Sequence, residues 1–250
     1  MEINNPRGII LMALGFALFA VADTIAKVLL DYYPPLQVVF LRQLGLFFGV
    51  NLIMLYNLKW VGKTHNFSKQ LLRGLTQAGS AVIFLVGLRT IPIADATSIA
   101  FVAPLFVIVF SYFILKEPIG FRRWLAVIIG FSGTLIIIRP GFEIINLGHL
   151  FIIIAALLFA LRQILSRLLA STDDPITTAF FTAYTSVFIF VLFQPWVWTP
   201  ITDKNHIFLF LVYAAFAGTA EFLVIKSLQI AHAVVVSPLQ YTLLIWVTIF

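Results

Sequence analysis

The sequence predicts an all-α integral membrane protein: an inverted five-plus-five repeat of transmembrane helices, with nine helices present and the tenth missing. Three observations lead there. Of 250 residues, 62% are hydrophobic and only 10% are charged, whereas soluble domains carry roughly a quarter charged residues. Apolar runs of membrane length recur along the whole chain, separated by short polar gaps. The chain also resembles itself at a lag of 140 positions.

A helix needs about 20 predominantly apolar residues to cross a bilayer. Such runs fall near 8–30, 36–58, 70–89, 93–115, 121–138, 148–170, 177–199, 207–229 and 232–250. The first is too long for the apolar region of a signal peptide and lacks a small-residue cleavage site, so it reads as a retained helix. Connections such as Asp31 to Pro35, Lys116 to Gly120 and Ser171 to Pro175 are short, which makes neighbouring helices antiparallel. Open sheet is excluded because unpaired backbone groups are too costly in lipid, and no segment alternates as barrel strands do.

Orientation follows from the basic residues. With the N-terminus inside, the inner ends hold Arg7, Lys59, Lys63, Lys69, Arg73, Lys116, Arg122, Arg123, Arg167 and Lys226. The outer ends hold Lys27, Arg89, Arg139 and Lys204. This bias predicts a cytoplasmic N-terminus. The net charge of +6 therefore reflects topology, not a nucleic-acid footprint. The absence of Cys excludes disulfides and thiolate metal sites. His65, His149, His206 and His232 lack metal-ligand spacing, and no catalytic triad, phosphate loop or carboxylate pair can be assembled. Neither an enzyme nor a cofactor is expected.

At the lag of 140, Gly8 falls on Gly148, Leu18-Phe19-Ala20 on Leu158-Phe159-Ala160 and Lys27 on Arg167. Pro35 falls on Pro175, Leu88 on Leu228 and Phe101 on Tyr241 in the same register. Two repeats follow, 8–139 and 148–250. Five helices is an odd number, so the second unit enters the bilayer from the opposite side, as in secondary transporters. Residues 111–138 have no counterpart, and the second repeat is expected to be truncated.

Ionisable groups within membrane helices are costly and are functional candidates. Asp23 and Arg42 lie at matching depth from the outer ends of the first two segments, roughly 10 Å at about 1.5 Å rise per residue. Arg162 and Glu221 form a second set, about 12 Å from the inner ends of the sixth and eighth. Each set reads either as a structural ion pair or as groups that hold a charged substrate. Lys27, one turn from Asp23, competes with Arg42 for it. Glu221 is the candidate for proton coupling. Around the middle of the fourth and ninth segments lie Phe101, Pro104, Gln240, Tyr241 and Trp246, where proline frees a carbonyl that only protein or a water-filled cavity can cover. Aromatic rings beside amides suit a cavity for planar or amphipathic solutes, and Gln77 and Gln163 read the same way. Gly45-x-x-x-Gly49 reads as packing within the bundle in preference to a homodimer interface. Trp60, Trp124, Trp196 and Trp198 read as interfacial anchors.

The residues that now stand out are Ala22-Asp23-x-x-Ala26-Lys27, Phe40-Leu41-Arg42 and Gly87-Leu88-Arg89-x-x-Pro92-x-Ala94-Asp95-Ala96. With them come Ala103-Pro104-Leu105-Phe106, Lys116-Glu117 followed by Trp124, Ser227-Leu228-Gln229, Ser237-Pro238-Leu239-Gln240-Tyr241-Thr242 and Trp246. In order and spacing the set resembles the EamA family of the drug/metabolite transporter superfamily. The resemblance implies ten helices in an inverted repeat, cytoplasmic termini and the bacterial inner membrane. It also implies a central cavity that moves small-molecule metabolites or drugs. The first-helix pattern is similar to a group that includes S-adenosylmethionine and riboflavin uptake carriers. The expected function is a secondary transporter of small organic metabolites working by alternating access. A passive channel and a non-transporting membrane scaffold are the alternatives.

Overall fold

The computed structural model describes residues 3–57, 61–88, 90–91, 96, 99–117, 120–138 and 147–249. The helices are α1 (Asn5–Leu30), α2 (Pro35–Asn57), α3 (Phe67–Leu88), and α4 (Ala103–Phe110), which runs on as a π-helical turn, Ser111–Leu115. Then come α5 (Phe121–Ile138), α6 (Leu147–Leu169), α7 (Pro175–Val197) and α8 (Lys204–Ile230). The last segment is α9 (Ala233–Val236), a 3-10 turn (Ser237–Tyr241) and α10 (Thr242–Ile249). No strand occurs among the described residues. Lys59, Trp60, Arg89, Pro92, Ala94, Asp95 and Arg139 lie outside them.

Four helices, α1, α3, α7 and α8, begin two or three residues earlier than the apolar runs indicate. Counting apolar residues misses polar first turns. Asn4 caps α1 by accepting from the Arg7 N–H at 3.0 Å, and Asp203 caps α8 by accepting from the Asn205 N–H at 2.8 Å. Pro35 and Pro175 open α2 and α7, where a missing N–H removes no helical bond.

Among the described residues, five helices, α1, α2, α6, α7 and α8, are long and apolar enough to cross a membrane. The surface of the bundle is correspondingly greasy: Phe48, Leu52, Phe188, Phe208 and Leu211 are all more than half exposed. Gln70, Arg73, Thr182 and Ser186 are buried instead. An exterior this apolar around an interior this polar is what lipid requires. The helix α3 carries Gln70, Arg73 and Gln77 along one of its faces.

The packing follows the repeat. The lag of 140 pairs α1 with α6, α2 with α7 and α3 with α8. Under that exchange the extensive α1–α8 contact becomes α3–α6, and α2–α8 becomes α3–α7. The α4–α6 contact becomes that of the last segment with α1. One pair of crossings shows the relation atom by atom. Gly8 has no room for a side chain against Ala231, and its carbonyl accepts from Ser227 Oγ at 2.7 Å. Gly148 and Gly87, their equivalents, also cross closely: a Cβ on Gly87 would sit 3.2 Å from the Gly148 carbonyl oxygen.

Gly45 packs its backbone against Ala214 and Gly218 of α8, with no space for a Cβ. Packing within the bundle is thus the role of Gly45, but its partner is Gly218. Gly49 faces open space. Trp124 is partly buried against a cluster of Ile108, Val127 and Val234, whereas Trp196 is 80% exposed.

Both proline-bearing segments are broken. A turn at residues 101–102 precedes Pro104, which opens α4, and Pro238 sits in the 3-10 turn between α9 and α10. Phe101 and Tyr241, equivalent positions, meet where the breaks meet: their rings stack at 5.7 Å and Tyr241 Oη donates to the Phe101 carbonyl at 2.9 Å. Gly130 of α5 lies so close beneath the Tyr241 ring that a Cβ would fall 2.5 Å from it.

Candidate functional site

The most demanding feature of the interior is a buried charge network joining α3, α6, α7 and α8. Arg162 Nη1 donates to both Glu221 oxygens, at 2.7 and 2.9 Å, and to Gln77 Oε1. Arg73, 1% exposed, donates to Ser166 Oγ at 2.6 Å, to Thr182 Oγ1, and to Glu221 Oε1 at 3.3 Å. The Arg162 guanidinium also lies 4.5 Å from the Phe159 ring. Two guanidinium groups face one carboxylate, so the network carries an excess positive charge. Arg162 Nε and Gln163 Nε2 are buried without a hydrogen-bond partner. The structure brings Gln77, Arg162 and Glu221 together, and Gln163, the next residue on α6, is buried without a bond to them.

Arg73 is the residue the inner-end count of basic groups obscures. It lies six residues into α3, about 9 Å along the axis. The stripe Gln70, Arg73, Gln77 at helical spacing was the available signal.

Asp23 and Arg42 occupy a second level. On α1, Asp23 follows buried Phe16 and Phe19 at seven and four residues and thus faces the interior. It is nevertheless exposed. Arg42 lies on the buried face of α2, one turn from both Val38 and Leu46, with its guanidinium 4.9 Å from the Phe19 ring. Tyr213 of α8 packs in one cluster with Ala22 of α1 and Leu41 of α2, the residues next to Asp23 and Arg42. Yet no ion pair within 4.0 Å joins Asp23 to Arg42 or to Lys27 among the described residues. Matching depth places Asp23 and Arg42 at one level but does not pair them.

The third group is more dispersed. Pro104 is buried at the start of α4, and Gln240 is 9% exposed with Oε1 unpartnered. Trp246 Nε1 on α10 is also without a partner.

The face carrying residues 3–5 is densely bonded. Glu117 collects Arg167 Nε at 3.1 Å and the Val234 N–H at 3.3 Å. His232 Nδ1 lies 3.0 Å from Glu117 Oε1 but off the line of a hydrogen bond. Glu117 reaches them because Lys116 adopts a left-handed conformation (φ 53°) that turns the chain back after the π-helical turn. Nearby, Asp173 accepts from Thr64 Oγ1 at 2.6 Å and Gln70 Nε2 at 2.9 Å, and Gln229 Nε2 donates to Thr178 at 2.9 Å. At the opposite face Tyr33 bonds His206 at 2.9 Å, and Gln37 exchanges two 2.8 Å bonds with Thr199.

This arrangement of polar interior, broken helices and repeated halves has counterparts among known proteins. The model of the EamA-like transporter family matches residues 6–139 and again 146–250. This chain belongs to the EamA-like transporter family. An S-adenosylmethionine uptake transporter of Rickettsia prowazekii (strain Madrid E) is 26% identical over 241 residues, 94% of this chain and 80% of that protein. A riboflavin transporter of Vibrio cholerae serotype O1 is 26% identical over 187 residues, 72% of this chain and 60% of that protein. A solved crystal structure overlays with a TM-score of 0.84 at 16% identity, covering 98% of this chain and 85% of the other, and shares the fold. The chain is thus a multi-pass transporter-family protein, with no enzyme among these relatives.

Proposed function

We propose that this protein is a bacterial inner-membrane carrier that moves small organic metabolites by alternating access between two repeats, 8–139 and 148–250. Its N-terminal face is cytoplasmic, in keeping with the distribution of Lys and Arg. The relatives named S-adenosylmethionine uptake transporter and riboflavin transporter support solutes of that size, bearing a planar ring system and polar groups.

The observation that carries the mechanism is an asymmetry between equivalent halves. At the lag of 140, Gln163, Thr182 and Arg73 correspond to Asp23, Arg42 and Tyr213. The first three are all buried, with Arg73 bonded to Thr182 and Gln163 2% exposed. The second three leave Asp23 exposed. An inverted repeat exchanges the two membrane faces, so this conformer reads as closed toward the cytoplasm and open to the other side. If the halves trade conformations, the opening changes face. The stitching of Glu117 to Arg167 and Val234 then acts as the inner gate. Solute sits between the Asp23–Arg42 level and the Arg162–Glu221 network, with Gln77, Gln163 and the Phe101–Tyr241 stack around it. Pro104, Gln240 and Trp246 line the broken segments beside it, and Glu221 is the group through which a proton would couple.

Counterflow into proteoliposomes preloaded with S-adenosylmethionine, riboflavin or a single amino acid tests this reading. A carrier gives saturable, transient accumulation of the external labelled solute. Linear equilibration without counterflow would mark a passive facilitator, and no movement of any solute would mark a scaffold.

A further inference from the structure

Two opposite charges inside a membrane bundle ordinarily neutralise each other, because each costs free energy when left alone there. Asp23 and Arg42 do not. They share one level, yet no ion pair within 4.0 Å joins them among the described residues. Arg42 is held instead over the Phe19 ring at 4.9 Å, a contact that orients a guanidinium without cancelling its charge. Asp23 makes no hydrogen bond to any described residue, although it shares a helix face with buried Phe16 and Phe19. In the other half, the equivalent positions are the neutral pair Gln163 and Thr182. At these two positions the repeat thus carries charge in one half only, and Asp23 is left exposed.

We propose that Asp23 and Arg42 hold the two poles of an α-amino-acid head group, the ammonium at Asp23 and the carboxylate at Arg42. This deepens the transporter reading of the same cleft and rests on it. A ligand carrying both signs side by side satisfies both residues and adds no net charge to the membrane interior. A simple cation would leave Arg42 unpaired and a simple anion would meet Asp23. A guanidinium also presents a planar fork matched to a carboxylate. Tyr213 of α8, 3% exposed, packs in one cluster with Ala22 and Leu41, the residues next to Asp23 and Arg42.

The test is competition in the counterflow assay, using each transported amino-acid-bearing solute against its N-acetyl and its carboxamide form. Blocking either pole is expected to weaken competition by about tenfold or more, the scale of one charge-assisted hydrogen bond. Asp23→Asn should abolish discrimination against the N-acetyl form while keeping it against the carboxamide. Arg42→Gln should do the reverse. Discrimination unchanged in both variants, or blocked forms competing as well as their parents in the unmodified protein, would overturn the assignment. Riboflavin counterflow with no amino-acid-bearing solute transported would overturn it while leaving the carrier reading intact. Failure of every solute would remove both. Should either variant lose its thermal transition in detergent, the blocked-solute comparison on the unmodified protein decides alone.

Discussion

Replacing Glu221 by glutamine removes the carboxylate that two buried guanidinium groups share. The substitution is nearly isosteric, so packing is held and charge is what changes. Glu221 accepts at 2.7 and 2.9 Å from Arg162 and at 3.3 Å from Arg73, and both arginines are almost fully buried. Breaking a buried pair by removing one partner costs roughly 3–5 kcal/mol, because the remaining charge is left uncompensated. The glutamine carbonyl still accepts one bond, which places the expected loss near the lower end, about 3 kcal/mol. For a chain of this size that lowers Tm by on the order of 10 °C. Thermal unfolding of the detergent-purified protein reads it directly. Adding Arg162→Met to Glu221→Gln should recover part of the loss, since one stranded cation is then gone. A Glu221→Gln protein with unchanged Tm, or a double variant less stable than Glu221→Gln alone, would refute the reasoning.

Gly45→Ala should prevent a stable fold, since no space exists beside Ala214 and Gly218, whereas Gly49→Ala should leave Tm unchanged. Tyr241→Phe removes one hydrogen bond to the Phe101 carbonyl and keeps the stack, so a loss of about 1 kcal/mol is expected in thermal unfolding. Because the chain contains no Cys, Ala233→Cys can report on the inner gate. Ala233 is fully buried beside Glu117's contacts, so its thiol should resist a maleimide in the parent protein and react several-fold faster once Glu117→Gln is added.

Much of this was legible in the residues themselves. The lag of 140 placed Gly8 on Gly148, and both stand at close helix crossings, Gly8 with no room for a Cβ against Ala231 and Gly148 with its carbonyl against Gly87. It also paired Phe101 with Tyr241, which touch. Depth matching joined Arg162 to Glu221 correctly, since a charge pair in lipid must share a level. The same arithmetic failed for Asp23 and Arg42, because depth does not report the distance between helices. Arg73 was hidden for a related reason: as a basic residue near an inner end it fitted the topology rule and needed no other explanation. Gly49 matched a motif whose spacing says nothing of which helix lies opposite. The Glu117 cluster was beyond reach, since it depends on the left-handed turn at Lys116 and on four chain segments meeting at one face.

The central claim is that the two faces open in turn. Single cysteines at Lys27, on the exposed end of the α1 interior face, and at Ala233, at the closed face, measure both faces in one preparation. Labelling with a soluble maleimide should be fast at position 27 and slow at position 233. A solute that supports counterflow should then slow the first and speed the second together. Rates that rise or fall at both positions at once, or do not respond to any transported solute, would contradict alternating access.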